Sequence, residues 1–376
     1  MEGYPVIDWA EGGEEKTARW RSESGLPPPR QMAIVDDRIT ADQAYGLACQ
    51  GTALLWRGDY QNARQLLAAL GKRCDHGPRK ARAATPAEAF NRHRQLQAQR
   101  ARTLGMLLVE LDGGHAIALR RAPDVREACR EAWGEGEGPC VVSLRELLGV
   151  IGAHEWRAKG IPVAALGARI HPHYGVFTPI RQEYVDLVAN APLPAAAAGG
   201  IAFDVGTGTG VLAAVLARRG FARVVATDRD PRALACAREN VDRLGLAKQV
   251  EVVEADLFPE GRAALVLCNP PWVPARPATP IEGGIYDPES RMLRGFLAGL
   301  AAHLAPGGEG WLVLSDLAEH LGLRTRRELV ALFEGAGLRV AGRLDAKPRH
   351  PKAADAGDAL HAARAVEVTS LWRLGK

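Results

Sequence analysis

No stretch of the 376-residue chain approaches the roughly 18 uninterrupted apolar residues that a membrane-spanning helix needs, so no such span is expected. The opening residues, MEGYPVIDWAEGGEEK, are acidic and lack the apolar core of a secretory signal. A cytoplasmic protein with no membrane contact is the expectation. Cysteine is sparse. Cys49, Cys74, Cys129, Cys140, Cys236 and Cys268 form no C-x-x-C pair, and no histidine completes a zinc spacing. Reduced, buried thiols are expected. His171 and His173 flank a proline, but two imidazoles alone make a poor metal site, and no metal is expected. Net charge is small, +4, with 47% hydrophobic and 24% charged residues, an ordinary globular composition long enough for two domains.

The charge is uneven. Arg57 to Arg102 carries eleven Lys or Arg against Asp59, Asp75 and Glu88, a local excess of +8 that leaves −4 for the rest. Such a surface can attract RNA or a ribosome, or can be the solvated face of ordinary helices.

Residues 1–30 read as a poorly ordered arm ending in the stiff run Pro27-Pro28-Pro29. A mixed, mainly helical substrate-recognition domain is expected over 31–170. In it, ADQAYGLACQGTALLW, QNARQLLAALGKR and the stretch from Pro86 to Leu108 show helical spacing. GMLLVELDGGHAIALRR reads as two strands about Asp112-Gly113-Gly114, and VVSLRELLGVIGAHEWRAKG as strand then helix. After NAPLPAAAAGG the pattern becomes a regular alternation. Strands are expected at 201–205, 223–228, 249–254, 263–268, 309–315, 338–344 and about 365–373. Helices are expected at 210–219, 232–244, 289–304 and 325–336. This alternation predicts an α/β domain over 171–376, with a Rossmann-like seven-stranded, mostly parallel sheet and an antiparallel edge pair.

IAFDVGTGTGVLAAVLA, residues 201–217, is a strand, a glycine-rich turn and a helix. Gly206, Thr207, Gly208 and Gly210 allow a tight turn and close approach to a ligand. Asp204 precedes them. Nucleotide phosphates would be repelled there, whereas a ligand with a cation, an amine and a ribose would be tolerated. The second strand ends VVATDRDP. Its Asp228 lies 24 residues after Asp204, near the spacing at which an acid meets ribose hydroxyls, with Arg229 beside it and Asp230 a helix cap before Pro231. The third strand ends VEADLF, so Asp256 reaches the same rim, where it can accept from an adenine amino group while Leu257 or Phe258 packs on the ring.

The fourth strand ends in Asn269-Pro270-Pro271-Trp272. Two prolines lock the backbone where open sheets bind ligands. The Asn amide oxygen and a backbone carbonyl can accept from a planar NH2 group, and Trp272 offers a face for stacking.

These motifs, in this order, resemble class I S-adenosylmethionine methyltransferases, and within them the release-factor-type protein glutamine N5-methyltransferases. GGIYDPESRMLRGFLAGLAAHLAPGG is similar to that family's loop, helix and turn after the catalytic motif. GVFTPIRQEYVDLV resembles its proline-arginine-glutamate segment, which implies that Phe177, Pro179, Arg181 and Glu183 border the site. The resemblance covers about residues 172–345. It implies S-adenosyl-L-methionine as cofactor and in-line methyl transfer to a planar nitrogen, without metal or covalent intermediate. Asn269, Pro270, Pro271 and Trp272 are the catalytic candidates. The implied acceptor is a protein glutamine, with RNA exocyclic amines and small molecules as alternatives, because adenine-N6 and guanine-N2 enzymes share the motif. Trp stands where Tyr is more familiar, and the larger ring alters the pocket.

Overall fold

The computed structural model describes residues 5–75, 83–278, 280–349, 355 and 357–376. The chain forms two compact units, Met1–Arg82 with Arg92–Glu155, and Ala83–Asn91 with Trp156–Lys376. The expected boundary at 170 therefore falls inside the second unit. Val163, Leu166 and Ile170 belong to that unit's core, which ties the preceding segment to it.

In the first unit the elements are β1 (Val6–Glu11), β2 (Glu14–Arg21), β3 (Gln31–Val35), α1 (Ala41–Cys49), β4 (Thr52–Trp56), α2 (Tyr60–Asp75), α3 (Pro86–Gly105), β5 (Leu107–Leu111), α4 (Arg126–Trp133), β6 (Cys140–Ser143) and α5 (Leu144–Lys159); the first six residues of α3 and the last four of α5 belong to the second unit. The strands form one sheet in the order β1-β2-β6-β5-β4-β3.

Two expectations fail here. Residues 5–30 are not a poorly ordered arm. Gly12 and Gly13, with φ of 64° and 84°, close a two-residue hairpin in which Glu11 pairs with Glu14. Ile7, Trp9 and Ala18 are buried by it. The unit is mixed with more residues in helices than in strands, as expected, but the helical reading of TALLW fails. Helix α1 stops at Gly51, whose φ is 84°, and TALLW is a buried strand between β3 and β5. Its unbroken apolar run suits a strand covered on both faces as well as it suits a helix. The hairpin expected about Asp112 is also absent among the described residues. The Asp112 carboxylate accepts from the N–H groups of Gly114 and Ala116, and β5 pairs with β4 and β6 instead.

The second unit opens with an antiparallel ribbon, β7 (Ile161–Val163) and β8 (Ala168–Ile170), and α6 (Glu183–Asn190). There follow β9 (Ile201–Val205), α7 (Val211–Arg218), β10 (Arg223–Asp228), α8 (Pro231–Arg243), β11 (Val250–Glu254), β12 (Ala263–Cys268), α9 (Arg291–His303), β13 (Leu304–Ser315), α10 (Leu317–His320), α11 (Arg326–Gly335), β14 (Arg339–Ala346), α12 (His361–Arg364) and β15 (Thr369–Gly375). The sheet order is β11-β10-β9-β12-β13-β15-β14. The first five strands are parallel, and β15 runs antiparallel to both its neighbours. The expected seven-stranded α/β sheet is thus observed, with a refinement: β15, last in sequence, inserts between β13 and the edge strand β14.

Period-two alternation places the core on both faces. Ala202, Leu265, Leu267, Trp311 and Val313 pack with α6 and α7, whereas Phe203, Val205, Val266, Leu312 and Leu314 pack with α9 and α11. Helix α7 is apolar all round and wholly buried from Val211 to Ala217, as its place between sheet and ribbon requires. Helix α8 begins where expected. Asp230 accepts from the Arg232 N–H, and Pro231 occupies the first turn. No helix among the described residues is long and apolar enough to cross a membrane.

Candidate functional site

The strand order reverses between β9 and β12, because the chain passes outward through β10 and β11 and then returns to the other side of β9. Open sheets bind ligands at the carboxyl ends of strands at such a point. A cavity of about 520 Å³ lies there. Phe177, Gly206, Thr207, Gly208, Asp228, Arg229, Asp256, Leu257, Asn269 and Pro271 line it, ten of the residues expected at the site.

The glycine turn is built as its sequence suggests. Gly206, Gly208 and Gly210 have φ of 74°, 55° and 79°, a region costly for side chains other than glycine. The N–H groups of Gly206 and Thr207 both donate to the Thr227 carbonyl, so the turn is sewn to the end of β10. Gly210 is not a wall of the cavity. A Cβ there would meet the Ala237 backbone at 3.3 Å, so this glycine serves the close packing of α7 on α8.

Asp204 also lies behind the wall. It is 1% exposed and accepts from the Thr207 hydroxyl at 2.7 Å and the Ala213 N–H at 2.9 Å. Burial pushes its carboxyl up to about 6, against the lowering effect of those two bonds. It braces the turn and the start of α7 from beneath. The same burial holds the neighbouring Cys268 thiol well above its ordinary range.

Asp228 faces the cavity with its orientation set by three backbone donors. Oδ2 accepts from Gly208, and Oδ1 from Arg229 and Asp230, at 2.8–3.0 Å. A carboxylate has about four acceptor sites, so one lone pair on Oδ2 remains for a hydroxyl. Asp256 is at the rim but pairs with Arg291 at 2.7 Å, with both side chains more than half exposed. Such a pair is weak and can yield to a ligand. Leu257 lines the cavity with φ of 84°, its carbonyl accepting from the Thr227 hydroxyl. Phe258 does not join it. Its ring stacks between Phe296 and His303 in the core, at centroid distances of 5.8 and 4.2 Å. His303 is thereby half-buried.

At the end of β12, Asn269 and Pro271 face the cavity and Pro270 is buried. Trp272 is not a wall. Its indole N–H donates to the Asn269 amide oxygen at 2.8 Å, and its ring packs against apolar side chains of three clusters. Arg181 also lies away from the cavity wall, its guanidinium carbon 5.0 Å from the Trp272 ring centroid. Arg181 donates to Glu183 at 2.7 Å and Glu367 at 2.9 Å, and both glutamate side chains are 2% exposed. Pro179 is likewise absent from the wall. Tyr286, Asp287 and Met292 are wall residues that sequence reasoning missed. Asp287 caps α9 by accepting from the Met292 and Leu293 N–H groups. The IYDPES segment carries that cap in sequence, but its approach to the glycine turn is a tertiary event.

His171 and His173 take separate partners: the His171 ring Nδ1 lies 2.7 Å from the Arg157 carbonyl of α5, while its backbone and the His173 ring meet α8. His171 N–H donates to Asn240 Oδ1, and His173 Nε2 lies 2.6 Å from Glu239. Among the described residues no group of His, Cys, Asp or Glu is arranged to hold a metal ion.

Residues 168–334 match the family model described as the methyltransferase small domain. Curated relatives include a ribosomal protein L11 methyltransferase from Pelotomaculum thermopropionicum, 40% identical over 39% of this chain and 40% of that protein. A release factor glutamine methyltransferase from Cereibacter sphaeroides is 36% identical over 36% of this chain and 51% of that protein. Another ribosomal protein L11 methyltransferase, from Sorangium cellulosum, is 29% identical over 58% of this chain and 61% of that protein. The chain spans about half the length of the curated relatives it matches.

Proposed function

We propose, from the premise that residues 168–334 are a class I methyltransferase domain, that the protein transfers a methyl group from S-adenosyl-L-methionine to a planar amide or amino nitrogen, with a protein glutamine side chain as the acceptor. The observation that carries this reading is the position of Asn269. Its amide stands in the cavity wall at the end of β12, across the switch point from the glycine turn of β9.

The residues present fit the cofactor. The volume suits a molecule of that size. The glycine turn lets backbone approach it, the free lone pair of Asp228 suits a ribose hydroxyl, and Leu257 supplies an apolar surface for a base. When bound, the cofactor supplies an electrophilic methyl on a sulfonium. The protein's part is positional. Asn269 Oδ1 accepts an N–H of the acceptor, which orients the nitrogen lone pair away from that bond and toward the methyl. The same acceptance grows stronger as positive charge develops on the nitrogen. The released proton passes to water, and no side chain is needed as a base.

Protein as acceptor is supported by the names of the relatives, a ribosomal protein L11 methyltransferase and a release factor glutamine methyltransferase. The RNA alternative draws less support. In the described part of the basic segment, Arg57 pairs with Glu11 and Glu110, Arg73 with Asp42, and Arg100 with Asp75. Arg79, Lys80 and Arg82 lie outside the described residues. The first unit, outside the matched segment, is the proposed acceptor-selecting part.

The test uses purified protein, tritiated S-adenosylmethionine and a lysate from cells lacking the protein, fractionated into protein, RNA and small molecules. Label in protein that depends on Asn269 is expected. Label in RNA or in small molecules instead would replace the glutamine reading.

A further inference from the structure

An indole N–H is a donor only, and an amide oxygen has two lone pairs. The 2.8 Å contact between Trp272 and Asn269 therefore fixes which end of the amide faces the ring, and leaves one oxygen lone pair free. Without such a partner the two ends of an Asn amide are nearly equal in shape, and half of the orientations present a donor where the acceptor's own N–H must bind. The ring itself has little freedom. It is half-buried against three apolar clusters. One approach to it is covered by the Arg181 guanidinium at 5.0 Å, a cation–π contact. Arg181 is held in turn by two buried carboxylates, Glu183 and Glu367, and the latter also accepts from the Ser315 hydroxyl at 2.6 Å.

From this arrangement we infer that Trp272 is a positioning residue and not a stacking platform: it orders the Asn269 amide with its oxygen available for one N–H of the methyl acceptor, and Arg181 holds the ring in place. The inference rests on the N-methyltransferase reading and deepens it. It departs from the stacking role expected for the aromatic residue of the tetrapeptide. A tyrosine ring carries its hydroxyl at the far tip and has no N–H at the indole position, so Trp at this site is a distinct solution. An acceptor ring or amide that needs a flat surface meets Phe177 or Tyr286, which line the cavity, instead.

The test has two arms. In the first, protein labelled with 15N at tryptophan indoles is observed by NMR, and Trp272→Phe identifies the resonance of this side chain. In Asn269→Ala that resonance should move upfield and exchange its proton ~10-fold faster, the scale of one lost hydrogen bond. An unchanged shift and exchange rate overturns the inference, and this arm needs no methyl acceptor. In the second arm, single-turnover transfer from tritiated S-adenosylmethionine is measured with the labelled lysate fraction as acceptor. Trp272→Phe keeps an aromatic ring and removes the N–H. It should slow transfer by ~10-fold while KM for the fraction and calorimetric affinity for S-adenosylmethionine stay near wild type. A raised KM with unchanged maximal rate would restore the stacking role and overturn positioning. Failure of the wild-type protein to label any fraction would instead refute the methyltransferase reading, with the NMR arm still deciding the Trp272–Asn269 bond.

Discussion

Asp204→Asn should make the second unit more stable at neutral pH, and the gain should vanish in acid. The carboxyl titrates at about 6 in the fold because it is wholly buried, and at about 3.9 in an unfolded chain. Between those values the native state binds more protons than the unfolded chain, so the contribution of Asp204 to stability falls as pH rises through this window and stays low above it. The interval is worth about 3 kcal/mol. Both observed bonds reach a single oxygen, Oδ2, from the Thr207 hydroxyl and the Ala213 N–H. The amide oxygen of Asn can accept both, whereas Ala would leave both donors unpaired. Urea denaturation of wild type and variant from pH 4 to pH 8, followed through the transition of the second unit, gives the difference directly. The variant's advantage should be near zero at pH 4 and should approach ~3 kcal/mol above pH 6.5, reduced by the weaker acceptance of a neutral oxygen. A difference that does not change with pH would refute the reasoning, because it would mean that Asp204 titrates alike in both states.

Asn269→Ala should leave calorimetric affinity for S-adenosylmethionine nearly intact and reduce methyl transfer by at least ~100-fold, the scale of one positioned hydrogen-bonding group; transfer near the wild-type rate would remove the proposed role. Asp228→Ala should weaken cofactor binding by about 1–3 kcal/mol, since it strips an acceptor from the cavity and leaves the Gly208 N–H without its partner; unchanged affinity would show the ribose assignment to be misplaced. Asp230→Ala removes the side-chain cap of α8 and should cost about 1 kcal/mol of stability by denaturation, with no effect on transfer at saturating cofactor.

The second unit was legible because its signals are local. Strand 201–205, the run of positive-φ glycines and the capped start at Asp230-Pro231 each depend on residues close in sequence. Their order in the chain then implied the switch point at which the acids and Asn269 meet. The first unit was read less well. Its sheet joins β2 to β6 and β4 to β5 across long separations, and TALLW has an apolar run whose period does not separate strand from helix. The Gly12-Gly13 hairpin was the one strong local signal there, and it was passed over.

The sequence alone determined the α/β class of the second half, the glycine turn and the residues gathered at its rim, since backbone preference and apolar period act over a few residues. Only the tertiary structure decided which of those residues face the cavity. Burial turned Asp204 into a brace beneath the turn, and packing drew Phe258 into the core. The approach of segments nearly two hundred residues apart joined Arg181 to Glu367 and set both behind Trp272. Side-chain direction depends on which face of an element meets its neighbours, and that choice is made by the whole fold.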